Sequence, residues 1–142
     1  MVEGRAIWLD GERFVLQGSS GHALVADSDR QRNTAPGPME LVLNALCACT
    51  ATDVVSILTK KREPFTGLQV RAEAERASEP PTVYTSIRLV YSVTGPIQRK
   101  SVEDAVRLSE QKYCSVSAML GKTARITTEI ELLTDASNRT KS

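Results

Sequence analysis

The sequence predicts an α+β domain with the element order βββ-α-ββ-α-β. Three observations predict it. Short apolar runs punctuated by glycine turns fill the N-terminal part. A long apolar helical run begins at Pro38. Two long alternating segments, a second helical pattern and a final alternating segment follow, so helices and strands are grouped rather than strictly interleaved. With 142 residues the chain is expected to be a single domain over 1–142, large enough to bury a core without staples.

The elements follow in order. Ala6 to Leu9 and Arg13 to Leu16 flank Asp10-Gly11, a hairpin dipeptide, and Gly18-Ser19-Ser20-Gly21 turns the chain into a third strand, His22 to Ala26. The polar stretch Asp27 to Pro38, with its prolines, glycine and charges, reads as the mobile loop of the chain. Pro38 suits the first position of a helix, and Glu40 lies in its first turn, where the macrodipole favours an anion. This helix is expected to run to Lys60 or Lys61. From Leu41 to Leu58 it is apolar nearly all round, which demands cover on every side. One small domain covers such a helix poorly, and the expectation is a homodimer.

Leu68, Val70, Ala72 and Ala74 alternate with Gln69, Arg71, Glu73 and Glu75 as in a half-exposed strand. After Ser78-Glu79-Pro80-Pro81 a second alternation runs through Val83, Thr85, Ile87, Leu89, Tyr91 and Val93. Ser101 and Asp104 read as a variant capping box opening a second helix, whose apolar positions Val102, Ala105, Val106, Tyr113, Val116 and Leu120 end at Gly121. A strand from Thr123 to Leu133 closes the layout, two helices against antiparallel sheet. The tail Thr134 to Ser142 is polar and expected to fray.

Composition excludes some functions. Eighteen Lys and Arg against 17 Asp and Glu leave a net charge of +1, scattered rather than gathered into the basic face a nucleic-acid binder needs. The N-terminal residues carry no export signal. The apolar run holds Asp53 at its centre, where a membrane would charge about 2.5–3.5 kcal/mol for an ionised carboxylate, so it reads as a buried soluble helix in a cytoplasmic protein. Cys47, Cys49 and Cys114 are an odd number of cysteines, expected as thiols at rest in a reducing compartment. His22 is the single histidine. Buried cysteines often serve only as small hydrophobes.

Two segments carry a resemblance. Pro38-Met39-Glu40-Leu41-Val42-Leu43, Ala45-Leu46-Cys47-Ala48-Cys49-Thr50 and Asp53-Val54 together resemble the first-helix motif of the OsmC/Ohr family, the osmotically inducible and organic hydroperoxide resistance proteins. Tyr113-Cys114-Ser115-Val116-Ser117 is similar to that family's second cysteine motif, and Ser20-Gly21-His22 suits its OsmC-like branch. The likeness extends from about Trp8 to Leu132. It implies a thiol-dependent peroxidase for alkyl or lipid hydroperoxides, built as an intertwined homodimer, with an external thiol or dithiol as reductant and no metal or organic cofactor. By position Cys49 matches the peroxidatic cysteine and Cys114 the resolving one. Asp10-Gly11-Glu12-Arg13 resembles the hairpin bearing the family's active-site arginine, which makes Arg13 the candidate cation, with Arg30 and Arg32 as substitutes. The family's acid follows the motif proline directly; here that position is Met39, and Glu40 is the acid one place on.

Physical chemistry sets conditions on that reading. The thiolate is the nucleophile, and a thiol of ordinary pKa near 8.5 is about a few per cent ionised at neutral pH. Cys49 lies well inside its helix, beyond the reach of the dipole, so another element must bring it a cation. Cys47 is about 200° away around the helix and reads as packing. Glu40 and Cys49 are about 180° apart, which leaves Glu40 either pairing with an arginine of a partner chain or capping its helix. Asp53 shares the face of Cys49 and reads as structural, paired to a Lys or Arg of the dimer. Two further readings stand beside the enzyme: a non-catalytic dimer that binds a small acyl or thiol compound or senses redox state, and a metal site built from His22 and cysteines, which the opposed directions of Cys47 and Cys49 oppose.

Overall fold

The computed structural model describes residues 1–134; the polar tail is outside the described residues from 135 to 142. The chain divides into two compact units, Met1–Asn44 and Ala45–Ser142.

The first unit is an antiparallel meander of β1 (Gly4–Asp10), β2 (Arg13–Gly18) and β3 (Ala23–Asp27), in the order β1-β2-β3. Asp10 pairs with Arg13, leaving Gly11 and Glu12 as a two-residue loop. Gly11 has φ of 50°, the left-handed conformation that such hairpin turns require. The connector after β3 is not the open loop its composition implies. Asp27, fully buried, accepts hydrogen bonds from Thr34 Oγ1 (2.6 Å), Thr34 N (3.2 Å) and Asp29 N (2.9 Å). Chiefly through the Thr34 hydroxyl, these hold its carboxyl below the usual carboxylate range.

α1 (Pro38–Lys60) begins as expected. Leu41 N donates to Gly37 O at 3.0 Å, and Glu40 Oε1 accepts from Gly37 N at 3.3 Å. Glu40 is therefore the returning half of a capping box. The most apolar window of α1 has a mean hydropathy of 1.9, long and apolar enough by composition to cross a membrane, and only 22% of that window is buried, so the helix is not the buried one the sequence implies. The buried stripe in the second unit is Leu46, Thr50, Val54 and Leu58, four residues apart and so on one face.

The second unit's sheet has the order β4-β5-β6, with β4 (Gly67–Arg76), β5 (Tyr84–Thr94) and β6 (Arg125–Leu133). β4 shows the expected half-exposed alternation. β5 is the central strand, and Ile87, Leu89, Val90, Tyr91 and Val93 are all buried. The expected alternation slips at its start: Tyr84 is buried and Val83 is 39% exposed, because the register shifts between Glu75 and Arg76. β6 lies parallel to β5, from Ser86↔Arg125 to Thr94↔Leu133, not antiparallel as the sequence expects. A parallel partner needs a crossover, and the helical segments between β5 and β6 supply it.

That crossover is not one helix. α2 (Arg99–Leu108) opens at Gln98 without a side-chain cap. Ser101 Oγ instead donates to Glu63 Oε1 at 2.7 Å, and Asp104 pairs with Lys100 (3.0 Å), Arg107 (3.1 Å) and Lys61 (3.2 Å), so the expected capping box does not form. Val102, Ala105 and Val106 are buried, but Tyr113 is half-exposed. A π-helical turn, Ser109–Tyr113, and an extended residue at Cys114 separate α2 from α3 (Ser115–Leu120). Gly121 ends α3 with φ of −63°, so it stops the helix without the left-handed conformation.

Two predictions follow from these contacts. A Cβ on Gly95, at φ of 126°, would meet Pro64 O at 2.9 Å and Phe65 Cα at 3.0 Å. Gly95→Ala is expected to destabilise the protein by at least about 1 kcal/mol in urea unfolding. The Asp104 carboxyl is held at about 2, first by hydrogen bonds from Lys100 and then Lys61. Depressed in the folded state, it stabilises above its unfolded value near 4 and loses that contribution as pH falls through 2. The melting-temperature gap between wild type and Asp104→Asn is expected to be constant above pH 5 and to close between pH 4 and 2.

Candidate functional site

In the second unit three chemically active side chains converge. Cys49 lies in the middle of α1 and is half-buried. Asp53 follows one turn later on the same face. Cys114 arrives from the crossover. The π-helical turn spends an extra residue before it, and Cys114 itself is extended, with φ of −80° and ψ of 104°. π-turns of this kind recur at functional sites because they re-aim one side chain. Cys114 caps α3, its Sγ accepting from Ser117 N at 3.3 Å, and it is 3% exposed. Ser115 opens α3.

The sulfurs of Cys49 and Cys114 and a carboxylate oxygen of Asp53 all lie within 4.8 Å of one another. Burial pushes the Cys114 thiol well up, and its hydrogen bond with Cys49 adds to that shift. Cys114 thus holds its proton while the more open Cys49 meets the solvent. Asp53 has no cationic partner in this cluster. Ser109 Oγ donates to Asp53 Oδ2 at 2.8 Å, so within the chain its partner is a serine rather than a Lys or Arg. Asp53 therefore belongs to the site rather than to the scaffold alone. Ser109, fully buried in the first position of the π-turn, is a site residue that sequence reasoning missed; a serine five residues before a cysteine carries no signal until the turn geometry aligns them.

Cys47 is outside the cluster. Burial raises its thiol, and the backbone of Ala72 on β4 lies against it, in accord with a packing role. Tyr91 Oη is buried near Thr50 without a hydrogen bond of normal geometry, and burial pushes it to about 12. Beside Asp53 opens a cleft of ≈ 430 Å³ lined by Ile57, Lys60, Lys61, Leu108 and Tyr113 among others.

The remaining sequence candidates lie in the first unit. Arg13, half-buried on β2, has Nε 3.2 Å from Asp10 Oδ1 and donates from Nη1 to Thr34 Oγ1 at 3.5 Å. Arg32 pairs with the same Asp10 oxygen at 2.8 Å. Arg30 reaches Glu40 Oε1 at 3.4 Å and also bonds the carbonyls of Asp27 and Ala35. Glu40 thus both caps its helix and pairs with an arginine, and that arginine belongs to its own chain. His22 is exposed beside the glycine turn, and the cluster of cysteines and carboxylate does not include it.

The fold agrees with known proteins. The OsmC-like protein family matches residues 31–129, and the chain belongs to that family. It is 40% identical over 133 residues to Protein YhfA of Escherichia coli, covering 93% of this chain and 98% of that protein. A hypothetical protein from Aquifex aeolicus superposes with a TM-score of 0.85 at 28% identity, covering 95% of this chain and 98% of that one. An organic hydroperoxide resistance protein OsmC from Legionella pneumophila shares the fold with a TM-score of 0.68 at 14% identity, covering 92% and 96% of the two chains.

The difference in burial between the two thiols is measurable. In the reduced, folded protein, iodoacetamide is expected to label Cys49 at least tenfold faster than Cys114. Peptide mass spectrometry against time checks this, and unfolding in urea is expected to equalise the rates.

Proposed function

We propose that this protein is a cysteine-based peroxidase that reduces organic hydroperoxides, with Cys49 peroxidatic and Cys114 resolving. The observation that carries the reading is the meeting of two thiols from distant parts of the chain, one half-exposed and one buried, within 4.8 Å. The shared fold with organic hydroperoxide resistance proteins supports it. Cys49 thiolate attacks the outer peroxide oxygen, the O–O bond breaks, and the alcohol leaves after taking a proton. Cys49 is then a sulfenic acid. Cys114 attacks its sulfur, and the hydroxyl leaves as water with the proton of Cys114. The resulting disulfide is reduced by an external thiol or dithiol. The cycle requires no metal and no organic cofactor.

The Asp53 carboxylate beside Cys49 supplies no positive charge to hold a thiolate. Activation therefore needs a cation, and Arg13 is our candidate by its hairpin motif, with Arg30 and Arg32 as substitutes and Glu40 as the acid that orients an arginine. We further propose a cytoplasmic homodimer that binds neither nucleic acid nor membrane, in which a second copy covers the apolar face of α1. A second reading, a dimer that binds or senses a small acyl or thiol compound without turnover, is favoured by Met39 at the family's acid position and by the cleft flanked by Lys60 and Lys61.

The test is consumption of cumene hydroperoxide with a dithiol present. Cys49→Ser is expected to reduce turnover at least 100-fold, and Cys114→Ser to accumulate a sulfenic acid that dimedone traps on Cys49. Equal turnover by wild type and Cys49→Ser would sink the peroxidase and leave the binding reading.

A further inference from the structure

We propose that Cys49, Asp53 and Cys114 form a site for one soft divalent cation, best suited to zinc. Two sulfurs and one carboxylate oxygen lie within 4.8 Å of one another. Tetrahedral zinc, with bonds of about 2.3 Å to sulfur and about 2.0–2.2 Å to oxygen, places neighbouring donors roughly 3.5–3.8 Å apart. Closing the gap takes at most about 1.3 Å, within reach of small χ adjustments in Cys49 and Asp53, which are only half-buried. Cys49 and Asp53 supply two ligands from successive turns of one helix face, the spacing by which helical metal motifs present paired ligands. Cys114 supplies the third from the break in the crossover.

Support behind the ligands is already in place. Ser109 Oγ holds Asp53 Oδ2 at 2.8 Å, as carboxylate ligands are oriented in metal sites. The donor set selects the ion: thiolates suit zinc, whereas calcium and magnesium take oxygen ligands. Three protein ligands leave a fourth position for water. Cys47, directed elsewhere, takes no part.

Binding ionises both thiols and releases their protons. The site exists only while both cysteines are reduced. This inference uses the cysteines of the proposed peroxidase, and metal and peroxide therefore compete. A hydroperoxide that oxidises the loaded pair discharges the ion: two thiolates become a disulfide, and the hydroperoxide takes their two electrons and two protons from solvent to give an alcohol and water.

The experiment is calorimetric titration of the reduced, metal-stripped full chain with zinc alone, with no peroxide present, together with cobalt titration followed by absorbance. We expect one ion per chain, a thiolate-to-cobalt charge-transfer band, and no binding to the disulfide form. Cys49→Ser and Cys114→Ser are expected to weaken zinc at least 100-fold, Asp53→Asn at least tenfold, and Ser109→Ala about tenfold; Cys47→Ser is expected to bind as wild type. Circular dichroism confirms that each variant folds, and Cys49→Ser and Asp53→Asn, at half-buried positions, keep the test open if Cys114→Ser does not. Absent binding, a missing charge-transfer band, or undiminished affinity in Cys49→Ser would overturn the site. Zinc binding with no hydroperoxide turnover would overturn the peroxidase alone, and turnover without zinc binding would overturn the metal site alone.

Discussion

The cluster of Cys49, Asp53 and Cys114 depends on one departure from helical geometry, the π-turn and extended residue that deliver Cys114. A regular helix continuing through 109–120 would advance each side chain by about 100° per residue, and Cys114 would follow α2's own periodicity. The extra residue in the π-turn and the β conformation at Cys114 break that phase. The sulfur turns into the protein, where the amide of Ser117 meets it. The same break frees Ser109 at the other end of the turn to hold Asp53. Both sides of the cluster are thus set by one local distortion.

The distortion is possible because the crossover has room for it. A strand added parallel to β5 must be reached by a connection that traverses the sheet, and that connection need not be a single helix. α2 anchors one end through Val102, Ala105 and Val106. The ion pair of Asp104 with Lys61 ties it to the C-terminal end of α1. With α2 held at that end, the segment beyond Leu108 can leave α-helical geometry. The contrast between the thiols follows: Cys114 is enclosed and keeps its proton, while Cys49 is half-buried on a helix whose most apolar window is only 22% buried.

A cysteine pair with a carboxylate beside it is an unusual balance for a nucleophile. The carboxylate of Asp53 lies within 4.8 Å of both thiols, and its charge suits a cation bound among them. The arginines of the first unit are already engaged: Arg13 and Arg32 converge on Asp10, and Arg30 on Glu40. Their pairing shows how the polar connector, closed around buried Asp27, is organised by charge rather than by apolar burial.

Much of this was legible in the chain itself. Period-two alternation marked β4, Asp10-Gly11 marked the first hairpin, and Pro38 with Glu40 marked the start of α1, because each signal is local and each cause lies within a few residues. The two cysteine motifs marked the family for the same reason. What the sequence could not determine depends on contacts between distant residues. The parallel pairing of β6 is chosen by the path of the crossover. The burial of Tyr84 in place of Val83 comes from a register shift against Arg76. The failure of Ser101 as a cap comes from competition by Glu63, 38 residues away. Asp53 read as structural because its partner, Ser109, is 56 residues distant. Local periodicity determined which elements form, and tertiary structure decided which of their polar groups meet, since a hydrogen bond or a thiol pair is made by proximity in space and leaves no period in the chain.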